Sequence, residues 1–411
     1  LHLIYNIGIY LYTLGVRIAA LFNKKAKLWV NGRKDIFNEL SSWRKQHSTD
    51  DVIWMHCASL GEFEQGRPVL EALRQQYPHK KLVLTFFSPS GYEVRKNYAG
   101  ADLICYLPAD TPRNSKRFIT ILRPQAALII KYEYWANYFF ECSKQNVPLF
   151  IVSGILRKDQ RFFGSMNGFW RKVLDGVTHF FVQNTETQQL LASIGYSNVT
   201  LAGDSRFDRV VDIAQQAKEF EDIRKFKSDS FCIIIGSSWP QEEQMMQSWM
   251  QENSDCKLIL VPHEIHETHI ASIQKLYPQS VRWTMREGVN LSQTRMLILD
   301  TIGMLSSIYR YGDVAMIGGG FGKGIHNTLE AAVWSIPVLY GPKIDKFEEA
   351  KQLVKIKGGF VFHSSEELND LLNHFKQNRG ECRAAGERAG QYVKSSTGAT
   401  TLVLQHLSSY L

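Results

Sequence analysis

The chain has 411 residues, 44% hydrophobic and 21% charged, a composition that excludes a disordered or fibrous protein and a length that predicts two domains of about 150 to 200 residues. A formal net charge of +8 favours anionic partners: nucleic acid, a phospholipid surface or a phosphorylated substrate. The six cysteines, Cys57, Cys105, Cys142, Cys232, Cys256 and Cys382, lie far apart with no C-x-x-C pair, the pattern of reduced core thiols in a cytoplasmic protein.

From Leu3 to Phe22 the sequence is apolar and aromatic, interrupted by Asn6 and Arg17, and about long enough to cross a bilayer at 1.5 Å per residue. It lacks the basic start and small-residue cleavage site of a signal peptide. Lys24, Lys25, Lys27, Arg33 and Lys34 follow. That cluster fits a membrane edge better than a nucleic-acid arm and keeps the bulk of the chain on the cytoplasmic side. Arg17 opposes a full span, since a mid-helix charge costs about 2.5 to 3.5 kcal/mol on insertion scales. Residues 1–24 are expected to form a membrane anchor, spanning or lying in the interface, with a buried amphipathic helix as the rival reading.

Short β-rich runs then alternate with helical stretches, at 52–56, 82–86, 103–106, 126–130, 149–152, 179–182 and 199–202. After a polar stretch from about 215 to 230 the pattern restarts, at 231–235, 257–261, 296–299, 314–317, 338–339 and 359–362. Alternation of this kind predicts parallel strands with crossover helices. The fold class is α/β: two doubly wound, Rossmann-like domains, 25–216 and 217–382, facing a cleft at the carboxyl ends of both sheets. Residues 383–411 read as helices packing back on the first domain.

Candidate chemistry clusters at the strand ends. Ser59-Leu60-Gly61-Glu62 follows the first strand, where a glycine turn would project Glu62 as a general base. The competing reading is a first-turn helix acid favoured by the macrodipole, and taken alone the motif favours that one. Glu133 follows the fourth strand; Arg157 and Arg206 follow later ones. Two acids and two guanidinium groups suit a reaction between a hydroxyl and an anionic donor, or form ordinary surface ion pairs.

In the second domain, His263 stands after a strand and Pro262, placed to meet a phosphate or base, or to begin a helix without a ligand. Metal binding by His263, His266 and His269 is disfavoured, because the H-E-x-x-H spacing is absent. The run Gly318-Gly319-Gly320-Phe321-Gly322-Lys323-Gly324 leads into Asn327-Thr328-Leu329-Glu330. Neither a P-loop nor G-x-G-x-x-G, it still suits a phosphate at a helix start, with Glu330 on a ribose diol. A tight glycine turn with a surface acid is the alternative.

Taken in order, the motifs His56 to Glu62, Thr85 to Glu93, Tyr106 to Pro108, Glu133 to Asn137, Gly203 to Asp208, Gly236 to Glu243, Asp300 to Gly303 and Gly318 to Glu330 resemble the 3-deoxy-D-manno-octulosonic acid (Kdo) transferase family. The resemblance implies a GT-B fold and an inverting glycosyltransferase that moves Kdo from CMP-Kdo to a sugar hydroxyl of the lipid A precursor, in lipopolysaccharide biosynthesis. It also implies an enzyme anchored at the cytoplasmic face of the inner membrane of a Gram-negative bacterium, in contact with phospholipid, with no metal, no cofactor and no nucleic acid. Carried over, Glu62 is the base, and Glu133 and Arg206 support the transition state. Ser59, Gly61, Pro262, His263, Ile302, Gly303, Met304, Gly319, Gly320, Asn327, Thr328, Leu329 and Glu330 are the substrate-binding positions.

The chain departs from the family pattern at Lys131, Ala136, Met304 and Ile325, and it lacks the usual Arg-His pair after Pro262. The alternative readings are a UDP-sugar transferase or epimerase of the same fold, and a non-catalytic membrane-tethered nucleotide-binding protein.

Overall fold

The computed structural model describes residues 1–131, 133–164 and 168–411. They divide into two units, Leu1–Asp208 with Thr397–Leu411, and Arg209–Ser396, each built on a seven-stranded sheet.

In the first unit α1 (His2–Ala19), α2 (Lys24–Asn31) and α3 (Ile36–Gln46) precede β1 (Val52–Cys57), and α4 (Leu60–Gln76) leaves its end. The remaining strands are β2 (Lys81–Phe86), β3 (Leu103–Tyr106), β4 (Ala126–Ile130), β5 (Leu149–Gly154), β6 (His179–Val182) and β7 (Val199–Leu201). Their order is β3-β2-β1-β4-β5-β6-β7, and the pairings are parallel, with Met55 opposite Leu128 where β1 meets β4.

Every residue of β1 is buried, because helices cover both faces of the sheet; its sequence is accordingly a continuous apolar run instead of an alternating one. Trp54 packs against Phe118 and Tyr138 in one core layer, and Met55, Phe63, Phe86 and Phe150 belong to the other. The strand order reverses between β1 and β4, so the loops leaving these two strands diverge and open the crevice in which such sheets take ligands.

The second unit repeats the plan with β8 (Cys232–Ser238), β9 (Lys257–Pro262), β10 (Val281–Arg282), β11 (Met296–Ile298), β12 (Val314–Ile317), β13 (Val338–Tyr340) and β14 (Gly359–Val361). The order is β10-β11-β9-β8-β12-β13-β14, all parallel, with the switch between β8 and β12. The sequence pattern misses β10, whose two residues are too few to show a period.

The structural bounds differ from those drawn on the sequence at 216/217 and 382/383. The helix Arg379–Ser395 stays with the second unit because its glycines let it lie against Ser335: a Cβ at Gly386 or Gly390 would sit 2.1 Å from a Ser335 oxygen. Only at Thr397 does the chain return to the first unit. There Asp208 accepts the N–H groups of Gly398 (2.6 Å) and Thr400 (2.7 Å), and Val403 and Leu407 of the last helix enter the core beside α4.

Among the described residues no helix is long and apolar enough to cross a membrane. α1 has no buried residue, and Leu3, Ile4, Leu11, Leu21 and Phe22 in and after it are 63 to 88% exposed.

Candidate functional site

Glu62 is the third residue of α4, with Ser59 as N-cap. The Ser59 N–H donates to Glu62 Oε2 at 3.0 Å, so the bland reading of the motif is literally present: the acid helps to cap its helix. The carboxyl is nevertheless only 7% exposed. Burial pushes its pKa up, against the amides of Ser59 and Ala58 and the charge of Lys131. Gly61 corrects one expectation: it lies inside the first turn of α4 and makes no turn of its own. A Cβ there would meet nothing within 4 Å, so its effect is to leave open space beside Glu62. What holds the acid at the strand end is Gly66, where a Cβ would lie 2.8 Å from Ile130 and 3.0 Å from Met55, drawing α4 onto β1 and β4.

Glu133 follows β4, the neighbour of β1 across the switch point. Its pKa is pushed up to about 7, by burial first and then by the Glu62 carboxylate, against a hydrogen bond from Trp135.

Arg206 begins the helix after β7 and is drawn to Asp204: its Nε donates at 2.9 Å and its terminal nitrogen lies 2.7 Å from Asp204 Oδ2. Gln65 Nε2 of α4 donates to the same oxygen at 3.3 Å. Burial alone would raise Asp204, but Arg206 and Lys131 hold it below the ordinary carboxylate range. The structure therefore brings Ser59, Gly61, Glu62, Glu133 and Arg206 to one edge of the sheet. Lys131, Gln65 and Asp204 join them, three residues that sequence reasoning did not select, although Lys131 stood out as a departure. Arg157 lies exposed on its loop.

In the second unit the loops after β8 and β12 are clamped together by Glu242, whose Oε1 accepts the Gly319 N–H at 2.8 Å while Oε2 accepts the Trp239 N–H at 3.2 Å. Trp239 Nε1 donates to His326 Nε2 at 3.1 Å. His263, held by its own N–H to Ser238 O at 3.0 Å, stacks on Trp239 (4.8 Å) and on His326 (4.3 Å). Burial and the neighbouring His263 push His326 down to about 4, so it is neutral at physiological pH.

The expectation of glycine amides cradling an anion needs correction at four of the five loop glycines. Gly318, Gly322, Gly324 and His326 N–H groups bond to Gly236, Gly319, Gly319 and Gly318 carbonyls, and the Gly319 amide is taken by Glu242. The expected helix after Asn327 is a single turn, Leu329–Ala332, too short for a substantial dipole. It ends because Ser335 turns into the left-handed region (φ 58°) under the close-packed Gly386 and Gly390. Glu330 accepts from Asn327 Nδ2 at 3.0 Å, and Thr328 and Leu329 are buried.

Ile302, 87% exposed, Gly303 (φ 91°) and Met304 follow β11. The helix after Met304 reaches the Glu330 turn through Trp334 Nε1, which donates to Ser306 O at 2.7 Å. Pro262, His263, Gly319, Gly320 and Asn327 to Glu330 thus share one sheet edge, with Ile302 to Met304 beside them. Trp239, His326 and Glu242 are the members missing from the sequence-derived set. His269 is engaged by Glu243 at 3.1 Å and by Glu264 O at 2.8 Å, and among the described residues no three His, Cys, Asp or Glu side chains form a metal-binding group.

Comparison with known proteins points one way. The sequence model of a family described as 3-deoxy-D-manno-octulosonic-acid transferase (kdotransferase) matches residues 34–209. The chain is 24% identical to the 3-deoxy-D-manno-octulosonic acid transferase of Haemophilus influenzae, over 87% of each protein. It is 28% identical to the enzyme of that name from Aquifex aeolicus, covering 77% of this chain and 84% of that one. In fold it is similar to a UDP-GlcNAc 2-epimerase from Neisseria meningitidis bound to UDP-GlcNAc, with a TM-score of 0.60 at 12% identity, over 87% of this chain and all of that one.

Proposed function

We infer that the chain is a Kdo transferase, a GT-B-like glycosyltransferase of lipopolysaccharide biosynthesis that moves Kdo from CMP-Kdo to the lipid A precursor; the family model over residues 34–209 and relatives of that name at 24% and 28% identity support the reading. The epimerase likeness concerns the fold alone.

The observation that supports a mechanism is the pair Glu62 and Glu133 at the switch point of the first sheet. In our reading Glu62 takes the proton of the acceptor's sugar hydroxyl as that oxygen attacks the anomeric carbon of Kdo. The bond from that carbon to the CMP phosphate breaks, CMP leaves with the electron pair, and configuration inverts. A raised pKa suits Glu62 as a base, because it strengthens proton affinity. Open space at Gly61 admits the acceptor sugar. Glu133 and Arg206 stabilise the charge that develops in transfer.

Donor binding falls to Pro262, His263, Ile302, Gly303, Met304, Gly319, Gly320 and Asn327 to Glu330. With the Gly318, Gly319, Gly322 and Gly324 amides occupied, side chains and the rings of Trp239, His263 and His326 supply most of the contacts. We further infer that α1 lies in the interface at the cytoplasmic face of the inner membrane. Its exposed Leu3, Ile4, Ile7, Leu11, Leu14 and Ile18 would enter the lipid, and Lys24, Lys25 and Lys27 would meet anionic headgroups.

Purified protein given CMP-Kdo and a tetra-acylated disaccharide bisphosphate should release CMP and yield an acceptor heavier by whole Kdo units. Turnover of a UDP-sugar instead, or no glycolipid product, would contradict the reading.

A further inference from the structure

Glu133 and Trp135 sit in a segment without helix or strand, so the position of that carboxyl depends on what grips the chain around it. The grip comes from α1. Tyr5 Oη donates to Asp110 Oδ2 at 2.6 Å and accepts the Ala136 N–H at 3.3 Å. Asp110, 2% exposed, also receives the Asn137 N–H (3.1 Å) and, on its other oxygen, the Tyr138 N–H (3.1 Å). Asn137 in turn holds α1: its Oδ1 pairs with His2 Nε2 at 2.9 Å and its Nδ2 donates to Asn6 Oδ1 at 2.9 Å. A second tie runs through rings, with Tyr12 stacked on Phe87 at 6.3 Å and Phe87 on Trp135 at 4.7 Å.

A helix that served only as an apolar anchor would need none of this. Its polar residues His2, Tyr5 and Asn6 instead make a part-buried junction with Asp110 and with Ala136 and Asn137, two residues just after the Glu133 segment. Glu133 is close enough for its charge to bear on the Tyr5 hydroxyl.

We propose that α1 is a working part of the catalytic site, with Tyr5 as the positioning residue that fixes the Glu133 segment through Asp110 and the Ala136 and Asn137 amides. The inference rests on the reading of Glu133 as a transfer residue. It makes the helix that meets the membrane also the helix that sets the geometry of the second acid.

Tyr5→Phe removes one oxygen and keeps the ring against Phe169 and Trp170. In full-length protein assayed with CMP-Kdo and the tetra-acylated acceptor, it should lower kcat roughly tenfold, the order expected when a catalytic group is misplaced by a fraction of an ångström. KM for CMP-Kdo should not change, and the limb of the pH profile near 7 should move. Because Tyr5 acts through Glu133, Tyr5→Phe should cause no further loss in a Glu133→Gln background, whereas a general packing defect would lower both backgrounds equally. Asn6→Ala, which cuts only the Asn137 link, repeats the cycle with a smaller effect if Tyr5→Phe does not fold. Impaired Glu133→Gln beside unimpaired Tyr5→Phe, or additive losses in the double variant, overturn the positioning role and leave the role of Glu133 intact. Fully active Glu133→Gln overturns both.

Discussion

The two sheets share strand number, parallel pairing and a central switch point, yet their switch-point loops are built from opposite materials. In the first unit the segments after β1, β4 and β7 carry titratable side chains, Glu62, Glu133, Asp204 and Arg206; burial pushes Glu62 and Glu133 up, and the charge of Arg206 holds Asp204 down. In the second the loops after β8, β9 and β12 are glycines, rings and clamped amides, and the acid closest to the glycine loop, Glu242, serves as a staple. One scaffold carries two kinds of loop, with titratable side chains in the first unit and glycines, rings and clamped amides in the second.

That contrast is open to attack from either side, and the steric side should give the largest effect. A Cβ at Gly320 would lie 2.5 Å from the backbone nitrogen of Gly341, so Gly320→Ala should destabilise the second unit by about 2 to 4 kcal/mol. Urea unfolding should show that loss equally at pH 6 and pH 8. A pH-dependent loss would mean that charge shapes this loop too.

Glu133→Gln should act through charge. The folded state holds a proton on Glu133 up to about pH 7, while the unfolded chain releases it near the ordinary 4.5. Wild-type stability therefore falls as pH rises across that window. The Gln variant should be free of the fall and more stable at pH 8 by about 1 to 2 kcal/mol, while transfer slows by roughly tenfold to a hundredfold. Equal pH dependence in both proteins would remove the claim that burial tunes this site.

Gly61→Ala adds a methyl group to open space in a helix, so it should stabilise α4 by up to about 1 kcal/mol. It should still raise KM for the lipid acceptor without changing KM for CMP-Kdo, as kinetics at varied acceptor would reveal. Trp239→Phe should have the smallest effect. It loses one hydrogen bond, to His326, worth about 1 kcal/mol, and should weaken CMP binding a few-fold by calorimetry.

The parts legible in the sequence were those with local signals. Thirteen of the fourteen strands announce themselves because buried parallel strands are continuous β-branched and aromatic runs, and only β10, with two residues, is silent. Glu62 was visible as an N3 acid after a strand, but the same pattern describes an ordinary cap, and only its burial and the facing Glu133 separate the two. Contacts between distant segments left no such trace. Glu242 and Gly319 are 77 positions apart, and nothing in either segment marks the staple that occupies the amide expected to meet a phosphate. The expected helix at Asn327 failed for a related reason, since it is cut short by glycines more than fifty residues downstream whose pattern reads as plain helix. α1 likewise read as an anchor by composition, while its few polar residues, which seemed interruptions, are the ones that dock it.

The central claim is that Glu62, and not merely the fold around it, removes the acceptor's proton. Single-turnover transfer from bound CMP-Kdo to the tetra-acylated acceptor, compared for wild type and Glu62→Gln at equal occupancy of donor, tests it directly. The account predicts unchanged CMP-Kdo affinity with transfer slowed by at least about a hundredfold. Transfer by Glu62→Gln at the wild-type rate would contradict it.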